Sequence, residues 1–292
     1  MENSVTYIKR LLHAIGKRDK LHAKTLRRSM ESMRGREYWR LAEIIQTYFI
    51  NNGVKVKQLS EDYLHMVNDM RIEMKYFEQT GEYSCKNEKE AYGKVYSNPG
   101  VMGYYMNALL ISQILWTHHF EILKRFTEQV VKYGGKGNGE SILDIGSGHG
   151  LFSKIMKDNM PNIRFIDVVD ISERSISMVK SFLGTDKVNY FTCDIMDFDR
   201  VGGYDIIILG EILEHLDNPL RVLKHAVSLL DRNGVIWITI PINAPAIDHV
   251  YLFDSPEMID DLVESAGLNY LIENYEFVDG QTSIMSAFCI KK

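Results

Sequence analysis

At 292 residues and 45% apolar content, the chain can build one large or two modest soluble domains, and nothing in its make-up suggests a fibrous or disordered protein. A net charge of -5 gives no reason to expect nucleic acid, which usually demands a basic face, so no nucleic-acid partner is expected. Cys85, Cys193 and Cys289 are scattered without a C-x-x-C pair, which argues against a zinc cluster or disulfide framework and for a reducing, cytoplasmic setting.

The first residues lack the apolar core of a signal peptide, and no apolar run approaches the length of a membrane span. Residues 1–133 carry helical periodicity. Tyr38, Leu41, Ile44, Ile45 and Tyr48 recur at threes and fours, followed by a stop at Asn51-Asn52-Gly53. Ser60, with Glu61 and Asp62 behind it, predicts the start of a helix carrying Tyr63, Met66, Met70, Ile72 and Phe77. Tyr96-Ser-Asn-Pro-Gly100 has turn chemistry and leads into an apolar helix through Trp116. We read 1–133 as an all-helical domain, a candidate lid or homodimerisation surface, whose bland alternative is added core. Gly134–Gly139, four glycines and two polar residues, predicts a linker at 134–140.

The α/β part, 141–292, opens with Ser141-Ile-Leu-Asp-Ile-Gly-Ser-Gly-His-Gly150, an apolar strand and three alternate glycines ahead of an amphipathic helix. Glycines in that place let backbone N–H groups approach a ligand. A dinucleotide dehydrogenase wants G-x-G-x-x-G. Here the spacing is G-x-G-x-G, with Asp144 two residues ahead, and a carboxylate suits a cationic ligand better than a pyrophosphate. Asp170 ends the next apolar strand, where an acid can accept both hydroxyls of a ribose. With these residues the stretch resembles the class I S-adenosylmethionine-dependent methyltransferases, whose first motif is D-x-G-x-G-x-G. Strands are expected at 165–170, 188–194, 204–209, 235–240, 271–277 and 283–290 after the first, with helices at 172–182, 219–230 and 255–266. The resemblance implies a seven-stranded Rossmann-like sheet whose last strand is antiparallel.

It also implies the cofactor, S-adenosylmethionine, and the groups that hold it. Asp144, Gly146, Ser147 and Gly148 would face its amino-acid end, Asp170 its ribose, Ile171 the adenine face, Asp194 and Ile195 the adenine edge, and Glu211 the last contact. Two loops then rim the same sheet edge: Glu211-Ile-Leu-Glu-His215 and Asp248-His249. The E-x-x-E-H run resembles ubiquinone-type O-methyltransferases and metal-dependent small-RNA 2′-O-methyltransferases. The second resemblance implies Glu211, Glu214, His215 and His249 as ligands of Mg, Mn, Fe or Zn. Without a metal, His215 or His249 is the catalytic base, since imidazole titrates near neutrality; a loop-closing role is the bland reading. Tyr104, Tyr105, Met106, Trp116 and His119 are candidates to cover a substrate. The expected activity is methyl transfer to a small molecule, natural-product or quinone-like, at oxygen. A carbon or nitrogen acceptor and a non-catalytic binding protein are the alternatives.

Overall fold

In a computed structural model, residues 3–33, 35–133, 140–200, 202–278 and 280–292 are described. The helical part runs α1 (Ser4–Gly16), α2 (Lys20–Ser32), α3 (Arg36–Asn51), α4 (Val56–Thr80), the single turn α5 (Glu88–Ala91), a π-helical turn Tyr92–Tyr96, α6 (Pro99–Leu115) and α7 (Thr117–Tyr133). The start expected at Ser60 is corrected. α4 begins at Val56, and Ser60 is buried one turn inside it, its Oγ donating to the Lys57 carbonyl at 2.7 Å. A serine can bond back to its own helix as readily as cap one. Ile72 is likewise 58% exposed, because the buried face of α4 runs through Leu59, Tyr63, Met66 and Val67. α6 starts as its sequence dictates: the Asn98 side chain accepts from the N–H groups of Gly100 and Val101, and Pro99 takes the first helical position.

The α/β part runs β1 (Glu140–Ile145), α8 (Leu151–Asn159), β2 (Ile163–Asp170), α9 (Glu173–Leu183), β3 (Val188–Thr192), β4 (Tyr204–Gly210), α10 (Pro219–Leu229), β5 (Leu230–Ile242), α11 (Pro256–Ser265), β6 (Leu268–Phe277) and β7 (Ser283–Lys291). The seven strands pair in the order β3-β2-β1-β4-β5-β7-β6. β1 to β5 are parallel, while β7 runs antiparallel to both β5 and β6, as the β6–β7 hairpin connection requires. Asn233-Gly234, which the sequence alone offers as a turn, falls in a bulge inside β5, since Leu230 pairs with Tyr204 and Val235 with Ile206. The glycine linker lies at 134–139, outside the described residues.

The helices do not float above the sheet. Phe126 of α7 lies 5.2 Å from the Trp237 ring and stacks parallel to Phe288 at 6.1 Å. One apolar core runs from Tyr7 of α1 to Phe288 of β7. That packing holds α2, α4 and α6 over the carboxyl ends of the parallel strands, where an open α/β sheet binds its ligands.

Candidate active site

A cavity of about 830 Å³ opens between those helices and the strand ends, and every residue expected to hold the cofactor lines it. β1 turns into α8 through Gly146, Gly148 and Gly150, all at positive φ. At Gly146 a Cβ would come within 2.5 Å of the Ile212 Cδ1, so only glycine lets the β4 loop approach. The Gly148 N–H donates to Asp170 Oδ2 (3.1 Å) and the Ser172 N–H to Oδ1 (2.8 Å). Asp144 accepts from the Ser153 hydroxyl at 2.6 Å. Burial pushes Asp144 up to about 7 and Asp170 up to about 6, although these hydrogen bonds work the other way. Asp194 caps a short 3₁₀ turn by accepting from Met196 N (2.8 Å), beside Ile195 at the wall. Ile171, 40% exposed, stands at the rim.

The β4 and β5 loops meet at the other end. Glu211 holds a left-handed backbone, φ 53, which is uncommon for a non-glycine residue and directs the loop back over the sheet. Its N–H is taken by the Thr239 hydroxyl at 2.9 Å. The Glu214 carbonyl accepts from Val250 N and Tyr251 N, both at 2.9 Å, which stitches the two loops together. Glu214, His215 and His249 each present an atom within 4.8 Å of the others. The His249 Nδ1 donates to the Ala244 carbonyl (2.6 Å) and the His215 Nδ1 to the Asp248 carbonyl (3.0 Å). A carbonyl only accepts, so Nδ1 carries a proton in both rings, and each ring turns its Nε2 inward. Those Nε2 atoms stand 3.4 Å (His215) and 3.9 Å (His249) from Glu214 Oε1. Both Glu214 oxygens and Glu211 Oε1 are buried without a hydrogen-bond partner. Burial, reinforced by the charge of Glu211, raises the Glu214 carboxyl well above its usual value, and burial lowers His249 to about 3.

The helical part reaches this cluster through Tyr105, a residue expected to cover the substrate, and through Tyr96 and Tyr83, which the sequence did not single out as site residues. The Tyr96 hydroxyl donates to Asp248 Oδ2 (3.1 Å) and lies 2.9 Å from the His215 Nδ1, while the Tyr105 hydroxyl donates to Asp248 Oδ1 (3.1 Å). Tyr83 accepts from Ala244 N at 3.2 Å and sets its ring edge-on to His249. Tyr96 ends the π-helical turn, an irregularity that often marks a functional position. Of the expected covering residues, Tyr105, Met106, Trp116 and His119 line the cavity. Tyr104 does not. It stacks on His65 at 3.9 Å and donates to Asp69 at 2.6 Å, on another face of α6. Neighbouring helical residues point about 100° apart, so Tyr104 and Tyr105 cannot share a face. Three of the four expected metal ligands converge; Glu211 lines the same cavity outside that group. His149, in the glycine loop, was also missed: it is half-buried, desolvation of its ring lowers it to about 4, and its Nδ1 accepts from Leu151 N.

Residues 115–273, more than half of the chain, match the family described as a methyltransferase domain. The chain belongs to the class I S-adenosylmethionine-dependent methyltransferases. Among curated relatives, this methyltransferase is 32% identical over 97 residues to malonyl-[acyl-carrier protein] O-methyltransferase 1 of Ilyobacter polytropus, covering 33% of the chain and 36% of that relative. It is 29% identical over 164 residues to N-terminal Xaa-Pro-Lys N-methyltransferase 1 of Mus musculus, covering 51% and 71%. The match thus spans about a third of the first relative's length. Among solved structures, PigF with S-adenosylhomocysteine superposes with a TM-score of 0.55 at 15% identity, over 80% of this chain and 74% of that one. That likeness extends the shared fold into the helices ahead of the sheet. No described helix of the methyltransferase is long and apolar enough to cross a membrane.

Proposed function

We propose that the protein transfers the methyl group of S-adenosylmethionine to a hydroxyl of a small molecule held under its N-terminal helices, with a divalent cation at Glu214, His215 and His249. On this reading residues 1–133 are a lid domain, 134–139 a linker and 140–292 the catalytic domain, one residue earlier than expected because Glu140 already pairs in β1. One observation carries it: buried Glu214 and His249 and half-buried His215 face one another, and no donor among the described residues serves the Glu214 carboxylate. Acceptors packed together need a proton or a cation between them. Two imidazole nitrogens and one carboxylate suit Mn, Fe or Zn better than Mg or Ca. Such a cation, when bound, lowers the pKa of an acceptor hydroxyl.

The residues supply the rest. The glycine loop, Asp170 and Asp194 would hold the cofactor with its methyl group toward the β4–β5 rim. A sulfonium methyl is already electrophilic, so in-line positioning provides much of the acceleration. The Asp248 carbonyl and Tyr96 fix the tautomer and tilt of His215, and Ala244 fixes those of His249. Tyr105 and Met106 close the cavity against water from above.

The acidic rim also favours a second reading, an amine acceptor, and one relative acts on a protein N-terminus. The test is transfer of tritiated methyl from S-adenosylmethionine to a panel of phenols, hydroxyquinones and an Xaa-Pro-Lys peptide, before and after chelation. The account expects methyl ethers, loss of transfer with chelator and recovery with Mn or Zn. Methylated peptide, or transfer indifferent to chelation, would overturn it.

A further inference from the structure

The cavity is divided by charge. Its carboxylates come from the strand ends, the β4 and β5 loops and α5. Among the described residues, no aspartate or glutamate of α2, α4, α7 or the β6–β7 hairpin lines it. On that acid-free side α4 offers Val67, Met70 and Met74, one stripe about 10 Å long at 1.5 Å per residue. Leu26 of α2 and Ile122 of α7 face the same space, and the hairpin adds Phe277 and Val278, 81% and 39% exposed, as an apolar lip. Isolated exposed apolar residues are ordinary, but a lip continuous with an apolar cavity offers a ligand an entrance.

A single lysine or arginine lines the cavity among the described residues, and it is Arg71, on the same stripe of α4. Its guanidinium donates to Asp19 Oδ2 at 2.9 Å, a residue already fixed by the His22 N–H. A guanidinium carries further N–H groups in a fork matched to a carboxylate. His22 stands beside it at the cavity wall, facing the Tyr63 hydroxyl at 2.8 Å.

We infer that the acceptor is an elongated hydroxy acid: a hydroxyl at the Glu214–His249 rim, an apolar body along the Met70–Met74 stripe, and a carboxylate at Arg71. The inference rests on the methyl-transfer reading, of which it names the substrate class. The division of charge explains the polarity of that molecule. The acid-rich end favours the cationic cofactor, and at the far end Arg71, paired with Asp19 through one of its N–H groups, is the cation that a second carboxylate would meet. An acceptor rich in phosphate would find one arginine and a row of acids.

Calorimetry on the full chain saturated with S-adenosylhomocysteine tests the inference without needing turnover. The probes are ω-hydroxydodecanoate, its methyl ester and ω-hydroxybutanoate. The long acid should bind at least about tenfold more tightly than the short one, since each buried methylene adds to affinity, and about tenfold more tightly than the ester. Met70→Trp should remove the preference for length. Arg71→Gln, at an exposed position, should remove the preference for acid over ester. Equal binding of the long and short acids, or an acid preference that survives Arg71→Gln, overturns the inference while S-adenosylhomocysteine binding leaves the methyltransferase reading intact. Absence of heat with S-adenosylhomocysteine itself sinks that reading, and the inference with it.

Discussion

Two pairs of acids stand on one edge of one sheet in opposite circumstances. Asp144 and Asp170, at the ends of β1 and β2, are buried and receive donors from the protein: the Ser153 hydroxyl for one, the Gly148 and Ser172 N–H groups for the other. After β4, Glu214 is fully buried and Glu211 half-buried, yet Glu214 has no donor on either oxygen and Glu211 none on its buried Oε1. The first pair is complete as the chain folds and shapes a pocket in advance. The second pair keeps buried oxygens without a donor, and on the proposed reading a cation from outside the chain completes them. Polar groups left unpaired in a protein interior cost free energy and persist where function uses them.

Mutations at the two ends should therefore fail differently. His249→Ala has the largest expected effect, a fall in kcat of about 10³-fold, within the range for removing a proton-transfer or ligand group, with cofactor affinity changed by less than about twofold. Steady-state kinetics beside calorimetry read the two together. Asp170→Asn should do the reverse, lowering cofactor affinity by about tenfold to a hundredfold, as for lost charge-assisted hydrogen bonds. This end should also respond to pH. Asp170 titrates at about 6 when no cofactor is bound, so it is protonated below that and loses acceptor capacity. Affinity should fall as pH drops through 6 and should flatten in Asp170→Asn.

Glu214→Gln should abolish metal dependence and yet stabilise chelator-treated protein by about 1–3 kcal/mol at neutral pH, since an amide replaces an unpaired charge. The sign follows from the raised folded-state value. Stability contributed by a neutral Glu214 is full below the ordinary 4.5 and is lost as pH rises through the higher folded value, so the variant's gain should grow with pH. Denaturant melts across pH would show this. Asp248→Asn is the mildest change, with a several-fold lower kcat and little change in cofactor affinity, because it loosens the tyrosines that brace His215 without removing a cluster atom.

The same division runs through what the sequence could reveal. Strand ends were legible because a parallel sheet is written as short apolar runs closed by acids and glycines. That pattern placed Asp144, Asp170, Asp194 and the glycine loop on the cavity wall. Ser60 misled because a serine inside a helix and one capping it look alike. Tyr104 and Tyr105 differed only in helical phase, which packing decides. The Tyr96–Asp248 bond joins residues far apart in the chain, and no local periodicity encodes it. The stripe on α4 was half visible in Met70, but its role depends on α2 and α6 lying across the same opening.

The most direct test of the Glu214–His215–His249 cluster is calorimetric titration of chelator-stripped protein with Mn or Zn, in the wild type, Glu214→Gln and His249→Ala. The account predicts one site per chain in the wild type and at least about a hundredfold weaker binding in either variant, as for loss of a first ligand among few. Binding that both substitutions leave unchanged, or no binding by the wild type, would contradict it.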